Sequence, residues 1–282
     1  MAYIRLQGGL GNQLFIWSTA HYLSRITNKP IRIVCNPRNV HIFIEQLANV
    51  SKQDIRLVRG KSARIFFIIF EFLKIKNQKL FELINFKNHF FAEQQNLEIS
   101  REILSKALFI QGFFQRAWIV EEVWDILRRE ISEVSEYFSE NRMEMLSEKT
   151  AMHVRRGDYV LSPNTWGLLS LQYYKEALGD LNGVKCFTDM DINQAKKFFE
   201  NSPSVQILTP NDANEISVLL NLSKMNKLAI ANSSLSWWGG FLASKKAALV
   251  IAPDPWFRKS DSWSNEIFCT DFIRHKSIFT GE

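Results

Sequence analysis

Cysteine is scarce in this chain: three residues, Cys35, Cys186 and Cys269, odd in number and far apart. They form neither a disulfide framework nor a zinc spacing, which favours a reducing compartment. Long apolar runs are also missing. Ile65-Phe66-Phe67-Ile68-Ile69-Phe70 is strongly apolar, but Glu71 and Lys74 interrupt it well short of the ~20 residues a membrane span needs. With Lys61, Arg64, Lys74 and Lys76 around it, the segment suits a core helix first and a membrane-interface helix second. No dense Lys/Arg block accompanies the net charge of +6. Positive charge spread in this way favours anionic partners such as nucleotides and argues against a nucleic-acid tail. Met1-Ala2-Tyr3-Ile4-Arg5-Leu6 has no leader character, so the expected location is cytoplasmic. No internal repeat or low-complexity tract is present.

What the chain does contain is enough for two modest α/β domains: 282 residues, 46% of them hydrophobic, with aromatics raised to 13%. Tyr3 to Leu6 reads as a strand, Gly8-Gly9-Leu10-Gly11 as a tight turn, Gln13 to Ile26 as a helix and Ile31 to Val34 as a strand. Residues 45–101 are poorly legible. Ala107 to Ile110 reads as a strand, and Trp118 to Ile131 as an amphipathic helix with Ile119, Val120, Val123, Trp124, Leu127 and Ile131 on one face. After a charged passage, strands are expected at 150–154, 184–187, 205–208, 228–231 and 247–252. Helices are expected between them at 170–178, 192–200 and 213–225, the pattern of a parallel sheet wrapped by helices. The expected division is 1–145 and 146–282.

Three polar segments fall where strands end. His153-Val154-Arg155-Arg156-Gly157-Asp158 puts two arginines at the C-terminal end of a buried strand, where ligands bind in α/β sheets. Guanidinium forks match phosphate oxygens, although Asp158 paired with one arginine as a plain salt bridge would look the same. Asn232-Ser233-Ser234-Leu235-Ser236-Trp237-Trp238-Gly239-Gly240 supplies hydroxyls, an amide and backbone N–H groups suited to phosphate. Thr188-Asp189-Met190-Asp191 offers either a divalent-metal pair or a ribose or base contact by Asp189, with Asp191 as a helix cap. The metal-free reading is preferred, because the arginines already neutralise charge. Near the N-terminus, Gly8-Gly9-Leu10-Gly11-Asn12-Gln13 allows close approach of a ligand to a helix start with Asn12 and Gln13 at the mouth of the cleft, the alternative being a plain helix start capped by Asn12. It is a poor dinucleotide fingerprint: Leu14 stands where the last glycine belongs, and Arg32 and Cys35 stand where an acidic ribose partner belongs. The elbow Gly-x-Ser-x-Gly is absent, against a serine hydrolase.

Taken together, Gly-Gly-Leu-Gly-Asn-Gln, His-Val-Arg-Arg-Gly-Asp and Asn-Ser-Ser-x-Ser-Trp-Trp-Gly resemble the bacterial α-1,2-fucosyltransferases of glycosyltransferase family 11. Gly112-Phe113-Phe114-Gln115, Tyr173-Tyr174 and Ala252-Pro253-Asp254-Pro255-Trp256-Phe257 extend the resemblance along nearly the whole chain. The resemblance implies a GT-B-like α/β fold, two Rossmann-type lobes facing a central cleft. The first lobe would take the acceptor, and the second would take GDP-β-L-fucose. The reaction would be inverting and would place α-L-fucose on a galactose 2-hydroxyl without a metal or other cofactor. Arg155 matches the arginine that contacts the diphosphate, Arg156 and His153 share its motif, Ser233, Ser234 and Ser236 match the donor loop, and Asn12 the amide near the reacting centre. Arg155, Asn12 and Asp158 are therefore the catalytic candidates. His153, Arg155, Arg156, Asp189, Asn232, Ser233, Ser234, Ser236, Gly9, Gly11 and Gln13 are the donor-binding candidates. Where the family often has Ser-Asp-Asp, this chain has Thr188-Asp189-Met190. His153 and Asp158 are base candidates by type, but the motif is expected to use them to orient the arginines, with Asp158 aiming the pair, so the base is left unassigned. The expected partners are GDP-fucose and a β-galactoside acceptor, possible as a lipid-linked glycan at the inner membrane face, with no nucleic acid. A nicotinamide oxidoreductase rests only on the imperfect glycine turn. A non-catalytic carbohydrate-binding protein rests on Trp237, Trp238, Trp256 and Trp263, which fill cores as readily as they stack on sugars.

Overall fold

The computed structural model describes residues 1–36, 39–75, 90–92, 101–139, 149–259 and 262–281. The chain divides into two compact units, Met1–Glu140 and Asn141–Glu282. The boundary expected at 145/146 lies outside the described residues.

In the first unit five described strands form a parallel sheet: β1 (Ala2–Arg5), β2 (Ile31–Val34), β3 (Ile55–Val58), β4 (Phe90–Ala92) and β5 (Phe109–Gln111), in the order β3-β2-β1-β5-β4. Helix α1 (Leu10–Thr27) follows β1. It begins three residues earlier than its apolar spacing suggests, because Gly8 at φ 76° and extended Gly9 turn the chain before Leu10. Gly9 is the N-cap, so Asn12 sits inside the first turn and does not cap it. Left-handed Asn28 ends the helix, its N–H bonding the Ser24 carbonyl at 2.8 Å. Burial is not confined to one face: Leu14, Phe15, Ile16, Trp17, Ala20 and Leu23 are all in the core.

Helices α2 (Ile42–Val50), α3 (Gly60–Ile75) and α4 (Arg101–Lys106) complete the crossovers. On α3, Ala63 and Phe70 are buried with Val34 in a core that Tyr3, Val58, Phe66, Phe67 and Phe109 flank. The opposite side leaves Ile65 and Ile68 61% and 70% exposed beside exposed Lys61 and Arg64. No helix of the described residues is long and apolar enough to cross a membrane. The single helix expected at 118–131 is two, α5 (Ala117–Glu122) and α6 (Trp124–Ser139), because Val123 leaves the helical region at φ −115°, ψ 11°. Ile119, Val120, Val123, Leu127 and Ile131 are buried as the spacing predicts, whereas Trp124 is half-buried.

The second unit holds β6 (Thr150–Val154), β7 (Lys185–Thr188), β8 (Gln206–Leu208), β9 (Lys227–Ala229), β10 (Leu249–Asp254) and β11 (Phe272–Lys276), all parallel, in the order β11-β10-β9-β6-β7-β8. Each of the five strands read from the sequence is present within about two residues of its expected bounds. Between them run α7 (Pro163–Trp166), α8 (Leu171–Leu178), α9 (Ile192–Phe198), α10 (Glu215–Leu222) and α11 (Ser234–Ser244). Met152, Val154, Tyr173, Tyr174, Cys186, Ala229 and Ile251 are among the residues of its core. The three cysteines are free and buried, and burial raises the Cys35 thiol to about 12. The class is α/β: two Rossmann-type units in one chain, the composition of the GT-B fold.

Candidate functional site

Numbered within the second unit, its strand order is 6-5-4-1-2-3, the classic dinucleotide-fold order read from the other edge. The direction of winding reverses between β6 and β9, and a doubly wound sheet opens a crevice at the carboxyl ends of such a pair. His153 to Asp158 leaves β6 there, and Asn232 to Ser236 follows β9 there. Asp189 follows β7, the other neighbour of β6. The register Val154↔Thr188 sets Arg155 and Asp189 side by side, one residue beyond the last paired positions.

Arg155 is held by two carboxylates. Its Nη2 donates to Asp158 Oδ1 at 2.6 Å, and its Nη1 lies 3.0 Å from Asp189 Oδ2. Its carbon Cζ stands 5.6 Å from the centroid of the Tyr159 ring. Burial works against the guanidinium charge, but Asp189 and then Asp158 outweigh it and raise the pKa, so the charge persists. The backbone N–H of Arg156 donates to Asp189 Oδ1 at 2.8 Å, and its guanidinium lies over the Phe198 ring at 5.2 Å. His153 is buried, and burial lowers it to about 4, with Asp189 opposing and Arg155 reinforcing. It is therefore neutral at physiological pH. Tyr174 donates to its backbone carbonyl at 3.0 Å.

On the β9 side Asn232 is buried, and its Nδ2 donates to the carbonyls of Trp166 (2.8 Å) and Gly167 (3.1 Å). Ser233 caps α11, accepting from Ser236 N–H at 3.2 Å. Ser236 is fully buried and accepts from Ala231 N–H at 2.8 Å, so it builds the turn and does not line it. Among the three serines only Ser234, half-buried at the first position of α11, keeps an accessible side chain of any size. Three buried polar atoms without a hydrogen-bond partner belong to residues at or just beyond the ends of β6 and β9, His153 Nδ1, Arg156 Nη1 and Asn232 Oδ1, and Asp189 Oδ2 has the Arg155 ion pair but no aligned hydrogen bond. Buried polar groups are seldom left unpaired, and a cluster of them at a strand-end crevice marks a place for a polar ligand. Asp191 is the N-cap of α9 in a reciprocal capping box, accepting from Asn193 N–H (2.8 Å) and Gln194 N–H (2.9 Å).

The other candidates belong to the first unit, just beyond the carboxyl end of its central strand β1. Gln13 is 2% exposed and fully engaged: Nε2 donates to the carbonyls of Gly8 (2.8 Å) and Asn39 (2.5 Å), and Oε1 accepts from His41 N–H (3.0 Å). It staples two loops, and with buried Gly11 it shapes the turn without offering a free group. Gly9 is exposed, and Asn12 is half-buried. Asn12 Oδ1 accepts from Gln115 Nε2 at 2.7 Å. A Cβ at Gly8 would press on the Asn12 amide, so glycine there makes room for it. Motif reading assigned no role to Gln115 or Tyr159. Gln115 lay within a quoted family segment, and Tyr159 is an aromatic directly after the arginine motif. Trp237, Trp238 and Trp256 are fully buried, which removes them as sugar platforms; the Trp263 side chain lies outside the described residues.

Residues 1–269 match the family described as Glycosyl transferase family 11. The chain belongs to glycosyltransferase family 11. Membership makes it a glycosyltransferase and sets aside the oxidoreductase reading. Two Escherichia coli relatives of this family 11 chain align over nearly its full length. "O-antigen biosynthesis glycosyltransferase WbnK" is 23% identical, covering 93% of this chain and 99% of the relative. "Alpha-1,2-colitosyltransferase" is 27% identical, covering 91% and 92%. A solved structure of E. coli heptosyltransferase WaaC superposes with a TM-score of 0.47 at 9% identity, covering 97% of this chain and 92% of that one.

Proposed function

We propose that this glycosyltransferase moves L-fucose from GDP-β-L-fucose, with inversion, to the 2-hydroxyl of a terminal galactose in a glycan. The observation that carries the reading is the reversal point of the second-unit sheet, between β6 and β9. A charged arginine, the Ser233-capped start of α11 and buried polar atoms without an aligned hydrogen bond lie at the strand ends where nucleotide ligands bind doubly wound sheets. The relative named for α-1,2 transfer supports the linkage, and the one named for O-antigen biosynthesis supports a lipid-linked glycan acceptor.

In the proposed reaction the bond from the fucose anomeric carbon to the β-phosphate oxygen breaks, and the galactose 2-oxygen bonds to the opposite face. The sugar passes through an oxocarbenium-like state while negative charge grows on the diphosphate. Arg155, already fixed and charged, meets that charge where it develops. Asn12 is the first-unit group assigned to the reacting sugar. The acceptor proton leaves late and passes to solvent water, so no strong base is assigned: His153 is buried and neutral, and Asp158 is engaged by Arg155. No resident metal takes part. The enzyme would work in the cytoplasm, peripherally at the inner membrane face.

The test is a panel of GDP-fucose and β-galactoside acceptors, with and without chelator, the product linkage read by NMR. Transfer to a galactose 2-hydroxyl, unaffected by chelation, is expected. Loss on chelation would return Asp189 to the role of metal ligand. The colitosyltransferase relative favours a second donor reading, so a colitosyl donor belongs in the panel, and preference for it over GDP-fucose would replace the first.

A further inference from the structure

We propose that Asp189 is a positioning residue that aims Arg155, a role distinct from contacting the donor itself; this rests on the donor reading above. Two carboxylates touch Arg155, and they are not equivalent. Asp158 has a side chain 67% exposed, and it lies three residues along the same turn. An ion pair of that kind contributes little, because water competes for both partners. Asp189 has a side chain 21% exposed and comes from the neighbouring strand. One of its oxygens accepts the Arg156 N–H at 2.8 Å, which fixes the backbone of the arginine turn. The other faces Arg155 Nη1 at 3.0 Å, close enough to set its direction yet without hydrogen-bond alignment.

Gly157 completes the arrangement. A Cβ on Gly157 would overlap the Asp189 carboxylate, with the Arg155 Cζ next in line. The turn therefore closes on Asp189 only because residue 157 has no side chain. A single carboxylate, seated by β7, thus fixes the turn through one oxygen and the catalytic guanidinium through the other. That also accounts for the position of Thr188-Asp189-Met190: buried Met190 packs in the core, Asp191 caps α9, and Asp189 alone faces the arginines.

A double-mutant cycle tests the role with four full-length proteins: wild type, Asp189→Asn, Arg155→Met and the double variant. Asp189→Asn keeps an oxygen for the Arg156 N–H and removes the charge that Arg155 follows. GDP affinity should fall about tenfold or more in Asp189→Asn, kcat should fall further than the acceptor KM rises, and in the Arg155→Met background the same change should cost less than about twofold. Asp158→Asn, at the more exposed partner of Arg155, should cost less than Asp189→Asn in both GDP affinity and kcat. Equal losses from Asp189→Asn with and without Arg155 would overturn the proposal, as would a larger effect from Asp158→Asn. If Asp189→Asn does not fold, Gly157→Ala displaces the same carboxylate and takes its place in the cycle. Thermal unfolding of the four proteins without ligand reads the Arg155–Asp189 coupling by itself. Coupling there with no GDP binding by wild type would sink the donor reading alone, whereas additive melting shifts would sink the positioning role.

Discussion

The Tyr159 hydroxyl donates to the Asn232 backbone carbonyl at 2.8 Å, tying the turn after β6 to the turn after β9 across the reversal point of the sheet. Burial raises the phenol pKa, so the hydroxyl stays a donor. The same ring lies beneath Arg155 and stacks on Trp166 at 5.8 Å. Tyr159→Phe removes one hydrogen bond and leaves both ring contacts, so stability should fall by about 1 kcal/mol and activity only a few-fold. Tyr159→Leu removes the ring as well and should lower kcat by a further order of magnitude. Urea unfolding and steady-state kinetics on the two variants separate the effects; equal kinetics would show that the ring does not support Arg155.

Arg155 itself sets the upper bound. A preorganised donor aimed at developing charge is worth about 3 kcal/mol, so Arg155→Ala should reduce kcat by ~10²-fold or more. Arg155→Lys should not restore it, because a single ammonium cannot reach both carboxylates and the donor phosphates in fork geometry. Near-normal turnover by the lysine variant would remove this role.

Five of the six strands in the second half were legible because each is a short apolar run ended by a polar or glycine signal, as buried parallel strands read, whereas β11, with Arg274, His275 and Lys276 in an exposed edge strand, has no such run and was not legible. His153, Arg155, Arg156, Asp189 and the 232–236 segment were found as strand ends for the same reason. Ser236 and Gln13 sit beside turns, where a hydroxyl or amide looks available from sequence, but Ala231 N–H and the Asn39 carbonyl engage them through the fold. The alternative reading of Asn12 as a plain cap does not hold, because Gly9 is the N-cap and Gly8 and Gly9 make the turn through the backbone, without a side-chain bond. The partners of Arg155 were half seen. Asp158 is adjacent in sequence, whereas Asp189 becomes a neighbour only through the register of β6 on β7.

In the first unit, Gln115 and Asn12 make a second prediction about direction. Gln115 Nε2 holds Asn12 Oδ1, which leaves the Asn12 amide N–H groups as the side available to a ligand. Asn12→Asp keeps the bond from Gln115 but loses the outward donor, and Gln115→Glu reverses the pair. Both should lower kcat at least ~10-fold with small changes in melting temperature. Recovery of activity in Gln115→Glu, with Asn12→Asp inactive, would show that the amide works the other way round.

The exposed stripe of α3 makes a prediction about membranes. Ile65 and Ile68 share a face with Lys61 and Arg64, so apolar surface and positive charge coincide. The protein should float with vesicles containing anionic lipid and lose that association with neutral vesicles or at high salt. Ile65→Asp with Ile68→Asp should abolish flotation and leave activity on a soluble acceptor unchanged. Absence of wild-type flotation on anionic vesicles would count against membrane contact.

His153 makes the pH prediction. An exposed histidine of the unfolded chain titrates near 6.5. Burial holds the folded His153 at about 4. Between those values the unfolded chain binds a proton that the folded chain does not, so acid favours unfolding. The stabilisation is fully present above about pH 6.5, falls as the pH drops toward 4, and the loss levels off below that. Its size is on the order of a few kcal/mol across the window, since each unit of separation corresponds to about 1.4 kcal/mol. Carboxylates contribute below about pH 5, so the cleanest interval is ~6.5 to ~5, where they are still ionised in both states. Urea unfolding across that interval should show wild-type stability declining with pH, and His153→Gln, less stable at neutral pH, should show a shallower decline. The pH profile of kcat should carry no inflection from this residue between ~6 and ~8, because the imidazole is neutral throughout. Parallel stability curves for the two proteins would mean that His153 is not the group that resists protonation.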